Sequence, residues 1–154
     1  MLNKYNSSNY NTFAQYATGV KAFVSGTPEE LIEYLKEFAK TIVPDLKTSP
    51  EIHISYMDET VAEFSTAVAY YMNSALDSYD HEYITLNPLN LSDKNDTLAT
   101  LAHEGYPGHL YSYVFAKESN IHNINKAMKN LTFGEGWATY VQLKLFQYIE
   151  FFLL

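Results

Sequence analysis

The chain has 154 residues, of which 47% are hydrophobic and 18% are charged, a composition that suits one packed domain over residues 1–154. Its formal net charge of −8 argues against nucleic acid and anionic membrane partners, because both attract basic proteins. All ten basic residues are lysines. The chain contains no cysteine. Arginine clamps, disulfides and thiolate metal ligands are therefore excluded.

The two ends of the chain carry different signals. The first residues lack the continuous apolar run of a signal peptide, and nothing reaches the about eighteen apolar residues of a membrane span. A cytoplasmic location is the expectation. The last residues, LKLFQYIEFFLL, stop inside an apolar helical pattern without a cap, which predicts that the chain is a piece of a longer protein.

The first third of the chain has one well-marked helix. A weak helical pattern over 13–23 precedes it. Thr27 has the character of an N-cap, Pro28 suits the first helical position, and acidic residues follow in the positive first turn. The helix is expected to end before Pro44, because the residue before a proline disfavours helical geometry.

The middle of the chain alternates between strand and helix patterns. Residues 52–57, IHISYM, alternate in polarity like a half-buried strand, and 81–87, HEYITLN, predict a second strand that Pro88 stops. Between them, 61–76 follow helical spacing. Further helices are expected over 91–105, from His109 onward and over 133–152. The predicted class is α+β, mainly α-helical, with a small β-sheet.

The stretch LATLAHEGYPGHLYSY, residues 98–113, carries the first functional signal. In HExxH motifs the two histidines are four residues apart and share one helix face, whereas His103 and His109 are six apart. The intervening Gly-Tyr-Pro-Gly is typical of a broken helix. A bulge there would return His109 to the side of His103.

A downstream stretch, NLTFGEGWATY, supplies a third ligand. His103, His109 and Glu135 would form a three-ligand zinc sphere with an open position, which can activate water. Glu104 is then the expected general base. Tyr106, in the bulge, could donate a hydrogen bond to the oxyanion.

HEGYPGH followed by FGEGWATY resembles the DUF885 family, whose members carry HExxPGH and a downstream EGW and are regarded as zinc-metallopeptidase-like proteins of the gluzincin type. The resemblance covers about residues 50 to 148. It implies a gluzincin-like metallopeptidase core, a peptide substrate and one zinc ion. YITLNP is similar to the family's short strand, and strand edges in such folds pair with extended substrates. Thr85 and Asn87 are therefore candidate substrate neighbours. Family members are several times longer.

Several other interpretations stay open. Manganese, cobalt or iron suits the same ligands. The histidine–glutamate pair could lie on an exposed helix surface, His109 could cap a helix, and Glu135 could favour a helix N-terminus through its dipole. A redox site of the helical-bundle kind needs paired Glu-x-x-His ligands, which the chain lacks. His53, His81 and His122 are interpreted as lone surface or core histidines.

The main alternative function is a catalytically inactive helical interaction module. It rests on an apolar stripe near the C-terminus that is expected to be exposed and to need a partner, either a missing domain or a second copy. Its members are Phe146, Tyr148, Ile149, Phe151, Phe152 and Leu153.

Overall fold

The computed structural model describes residues 24, 26–91, 94–127 and 130–151. Within these ranges the chain forms six helices and three strands. The helices are α1 (Pro28–Ala39), α2 (Glu59–Phe64), α3 (Lys94–Glu104), α4 (His109–Glu118), α5 (Asn123–Ala127) and α6 (Leu131–Phe151). The strands are β1 (Glu51–Tyr56), β2 (Ala69–Met72) and β3 (His81–Leu86). The predicted class, α+β and mainly helical, is confirmed. The helical pattern over 13–23 lies outside the described residues.

Helix α1 begins where the sequence predicts. The Thr27 hydroxyl accepts a hydrogen bond from the Glu30 N–H at 3.3 Å, and the Glu30 carboxylate accepts one from the Thr27 N–H at 2.8 Å. This reciprocal capping satisfies two donors that the helix itself leaves free. Leu35 and Phe38 lie on the opposite, buried face of the helix. The cap therefore fixes the start of a helix whose apolar face packs in the core.

The three strands form one mixed sheet in the order β1-β3-β2. Strand β1 runs parallel to β3, from the pair Glu51 and His81 to the pair Tyr56 and Leu86. Strand β2 runs antiparallel to the other edge of β3. Central position explains the burial of β3, in which alternate side chains are fully enclosed.

The helix predicted over 61–76 is wrong in its second half. The structure ends α2 at Phe64 and then forms β2, because 69–72 pair with β3. Tyr70 and Tyr71 belong to the residue types that favour strands, and pairing with a neighbouring strand outweighs the local helical spacing. The correction matters for function, since β2 lies beside the candidate site.

The C-terminal part of α6 is covered by the protein itself. Ile149 is buried, and the Tyr148 ring packs against the Phe38 ring of α1 with centroids 5.1 Å apart. Phe146 is partly buried. The predicted exposed stripe is therefore wrong for these residues, because this part of α6 packs into the core, with Tyr148 against Phe38 of α1. The side chains of Phe151, Phe152 and Leu153 lie outside the described residues.

A buried ion pair joins α4 to the sheet. The Lys117 ammonium lies 2.7 Å from the Glu82 carboxylate, and both side chains are fully buried. The hydroxyls of Tyr71 and Ser74 donate to Glu82 at 2.6 and 2.7 Å. Lys117 also donates to the Ser78 carbonyl. The pair thus has the additional hydrogen bonds that a buried charge requires.

Candidate metal centre

The junction between α3 and α4 brings the two motif histidines together. Helix α3 ends at Glu104, and α4 begins at His109 after a turn that contains a cis peptide bond before Pro107. The imidazole rings of His103 and His109 have centroids 4.8 Å apart and planes at 82°. A broken helix therefore places on one side two residues that a regular helix would separate.

Gly108 is required by the close approach of this turn to α3. A Cβ atom at Gly108 would overlap the carbonyl oxygens of Ala102 and His103. At Gly105 a Cβ atom would lie 2.7 Å from the Leu101 carbonyl oxygen. Both glycines therefore permit the backbone contact that makes the turn this tight.

Glu135 meets both histidines from α6. Its Oε2 atom lies 3.3 Å from His103 Nε2, and its Oε1 atom lies 3.3 Å from His109 Nε2. Ligand atoms at 2.0–2.1 Å from a tetrahedral zinc ion lie about 3.3 Å from one another. The three residues form a group whose potential donor atoms all lie within 4.8 Å. The structure thus brings together the residues that the sequence predicts as ligands.

Trp137 holds α6 against the turn. Its indole N–H donates to the Pro107 carbonyl at 2.8 Å, and the ring is half-buried. Gly134 packs over the His109 ring, where a Cβ atom would lie at 3.7 Å. The EGW stretch therefore both supplies Glu135 and fixes its helix relative to the histidines.

Gln142 orients His103, and it was missed by the sequence analysis. Its side-chain N–H donates to the Ala99 carbonyl at 3.1 Å, which leaves its Oε1 atom 3.0 Å from His103 Nδ1. Nδ1 must then be the donor of that bond. Gln142 follows Glu135 by seven residues, two helical turns, so the two side chains lie on the same face of α6. That spacing could have identified it.

The donor set fits a divalent cation. With the Nδ1 proton committed to Gln142, neutral His103 presents the lone pair of Nε2 to a Glu135 carboxylate oxygen. Two acceptors at 3.3 Å repel each other unless a proton or a cation lies between them. Two imidazoles and a carboxylate are also the ligands that zinc sites use.

Removing the Gln142 contact should weaken metal binding without unfolding the protein. In Gln142→Leu, His103 loses the partner that fixes its tautomer and ring orientation, and we expect zinc affinity to fall about 10–100-fold. Competition with a chromophoric chelator measures the Kd. Gln147→Leu, on the exposed face of the same helix, is the matched control. An unchanged Kd in Gln142→Leu would contradict this role.

Glu104 is held at the rim of the same site by β2. The Tyr71 backbone N–H donates to its Oε2 atom at 2.9 Å. Burial raises the pKa of Glu104 above its ordinary value, and the Glu135 charge acts in the same direction, while His103 and the Tyr71 N–H partly offset this. One carboxylate oxygen is therefore fixed by a backbone N–H.

A cleft of about 490 Å³ opens in front of these residues. Glu104, His109 and Glu135 contribute to its wall. The rest of the lining is mixed. Its aromatic and apolar members are Tyr70, Tyr71, Tyr113, Ala116, Leu131 and Phe133, and its polar members are Asn73, Ser112, Asn125, Lys126 and Asn130. A few converging polar groups beside aromatic and apolar side chains are a usual composition of a small-ligand site.

Tyr106 does not lie where the sequence analysis expects it. Its ring packs against the Tyr111 ring at 5.7 Å and beneath the Lys36 ammonium at 5.9 Å. It lines a separate cavity with α1 and Pro44, whereas the cleft that holds Glu104 is lined by other residues. The ring lies against α1, a contact between distant segments that the local sequence does not report. The structure therefore does not support an oxyanion role for Tyr106.

The two predicted substrate neighbours also lie away from the cleft lining. Thr85 belongs to β3, which is paired along both edges and cannot add another strand. Asn87 is fully buried and donates to the Ala62 and Ser65 carbonyls. Among the described residues, the strand edge that faces Glu104 belongs to β2, whose Tyr71 N–H donates to it.

Fold and site together define a mainly helical α+β protein with a candidate His-His-Glu metal centre at a helix break. Residues 6–144 match the family described as "Bacterial protein of unknown function (DUF885)". The chain belongs to this family, as its motifs predict.

A solved structure described as "the putative lipoprotein from Colwellia psychrerythraea" shares the fold, with a TM-score of 0.61 and 13% identity. The match covers 94% of this chain and 23% of that one, so the chain spans about a quarter of the length of its structural neighbour. No curated protein sequence matches the chain. None of the described helices is long and apolar enough to cross a membrane.

Proposed function

We propose that the chain carries the metal centre of a zinc-dependent hydrolase that cleaves peptide or related amide bonds. The observation that carries this proposal is the convergence of Glu104, His109 and Glu135 on one cleft, with His103 Nε2 3.3 Å from Glu135. Metal-assisted hydrolysis needs protein ligands for the ion and a separate carboxylate that can act as a base. In this proposal His103, His109 and Glu135 are the ligands. Glu104, which the Tyr71 N–H holds, is the separate carboxylate.

Each residue has a separate task in this proposal. His103, His109 and Glu135 hold the ion, and zinc in such a site supplies Lewis acidity that makes water a nucleophile near neutral pH. Glu104 takes a proton from the attacking water and passes it to the leaving nitrogen. The Tyr71 N–H keeps the Glu104 carboxylate directed to the cleft while it does so.

The substrate that suits this cleft is an extended peptide with an apolar or aromatic side chain. Strand β2 has one edge on β3 and the other edge toward Glu104, so a peptide could add to it by main-chain hydrogen bonds. Tyr70 lines the cleft, whereas the hydroxyls of Tyr71 and Tyr113, which also line it, donate to Glu82 and the Ser74 carbonyl. Tyr70 is therefore the phenol best placed to replace Tyr106 as an oxyanion donor.

Zinc is the first choice of metal, although manganese, cobalt and iron accept the same ligands. The cytoplasmic location and the absence of nucleic-acid and membrane partners stay predictions, as does contact with a further domain or a second copy through the end of α6. Because the chain spans a quarter of its structural neighbour, the activity belongs by this proposal to the longer protein of which the cleft is part.

The first test is metal content by mass spectrometry on tag-free protein purified without chelator. We expect one tightly held zinc ion per wild-type chain, lost in His103→Ala, His109→Ala and Glu135→Ala because three ligands are needed to retain it. His122→Ala, which removes an exposed histidine elsewhere, is the control. A folded wild type that retains no metal would contradict the proposal and favour the inactive interaction module.

A further inference from the structure

A second group of potential ligands lies on the solvent-facing side of the sheet. Among the described residues, Glu51, His53 and His81 also have donor atoms within 4.8 Å of one another. His53 Nε2 lies 3.0 Å from His81 Nδ1, and Glu51 Oε2 lies 3.8 and 3.5 Å from these atoms. The group shares no residue with the cleft.

Parallel pairing of β1 with β3 creates this group. Glu51 stands opposite His81 and His53 stands opposite Tyr83, so all four side chains point to the same face of the sheet. The Tyr83 ring stacks on the His53 imidazole with centroids 5.0 Å apart, which restricts the imidazole's orientation. The interpretation of His53 and His81 as lone histidines is wrong, because register brings together residues 28 positions apart.

We propose that Glu51, His53 and His81 form a second metal site, one that takes a divalent transition ion of the zinc, copper or nickel class. The three donor separations, 3.0, 3.5 and 3.8 Å, span the about 3.3 Å expected between ligands of one tetrahedral ion. Imidazole nitrogens select such ions over magnesium and calcium, which prefer oxygen ligands. Solvent fills the remaining coordination positions.

The bound ion joins an edge strand to the centre of the sheet. Glu51 and His53 lie on β1, which among the described residues pairs only with β3, whereas His81 begins β3 itself. An ion that binds this arrangement and not the unfolded chain stabilises the folded state by mass action. The site is exposed, so we expect it to hold its ion less tightly than the cleft and to fill only when zinc is added.

Zinc titration by calorimetry tests the site in tag-free His103→Ala/His109→Ala protein, which lacks two of the three proposed cleft ligands. We expect one remaining site, and zinc at ten times its Kd should raise Tm by about 3–6 °C. Adding His53→Gln/His81→Gln should abolish both the heat of binding and the shift in Tm. His122→Gln, a single exposed histidine, is the matched control and should change neither.

Two results would overturn the proposal. One is zinc binding that is unchanged by His53→Gln/His81→Gln. The other is the absence of zinc binding, up to about millimolar zinc, in protein that retains His53 and His81, since a millimolar Kd corresponds to weak binding. If the His103→Ala/His109→Ala protein fails to fold, the same titration is made in protein that is otherwise wild type. There, His53→Gln/His81→Gln must remove a second equivalent of zinc and leave the tightly held first one. That first equivalent reports the proposed cleft site separately.

Discussion

Replacing Glu104 by glutamine is expected to lower kcat/KM for peptide hydrolysis about 10²–10⁴-fold while zinc stays bound. Glutamine keeps an oxygen that can accept the Tyr71 N–H, but it cannot take a proton from water. The ligands His103, His109 and Glu135 are unchanged, so the metal content should equal that of wild type. Hydrolysis of peptides with an apolar side chain provides the measurement.

Glu118→Gln is the matched control for Glu104→Gln. Glu118 also accepts backbone N–H bonds, from Lys47 and Thr48, but it lies at the end of α4 and is absent from the cleft lining. It should leave hydrolysis unchanged. Full activity of Glu104→Gln, compared with active wild-type protein, would exclude Glu104 as general base. Loss of zinc from that variant would instead mean that the glutamate supports the ligands.

Local signals in the sequence predict the helix starts and the break at the metal centre. The Thr27 cap, the Gly-Tyr-Pro-Gly interruption and the spacing of the two motifs are read from neighbouring residues, and each governs the backbone within a turn or two. Gly108 is such a signal, because a side chain there would overlap the carbonyls of Ala102 and His103, which belong to the same short segment. These features account for how His103 and His109 meet.

Contacts between distant segments account for what the sequence did not reveal. Strand β2 exists because Tyr70 and Tyr71 pair with β3, and its presence turns β3 into a central strand without a free edge. The same lack of register information concealed the meeting of His53 with His81. The direction of the Tyr106 ring depends on the position of α1, which no local pattern reports.

Breaking the buried ion pair between Lys117 and Glu82 is expected to have the largest effect on stability. Lys117→Met leaves the Glu82 charge enclosed without its partner, and such changes cost about 3–5 kcal/mol in the free energy of unfolding. Chemical denaturation followed by circular dichroism measures the loss. Lys36→Met, which removes an exposed pair with Glu33, is the control and should cost no more than about 1 kcal/mol.

The double variant Lys117→Met/Glu82→Gln separates the unpaired charge from lost packing. If the enclosed charge is the cause, removing it should recover much of the stability that Lys117→Met loses, and a double variant as unstable as Lys117→Met would contradict this cause.

The effect of changing Glu82 should also reach the cleft, because the Tyr71 hydroxyl donates to Glu82 while the Tyr71 backbone N–H holds Glu104. Burial raises the pKa of Tyr71, so its hydroxyl stays protonated and remains a hydrogen-bond donor. Replacing the charged acceptor Glu82 weakens that hydrogen bond and loosens β2. We therefore expect Glu82→Gln alone to lower kcat/KM, although the side-chain hydrogen bonds of Glu82 go to Tyr71, Ser74 and Lys117 and to none of the proposed metal ligands.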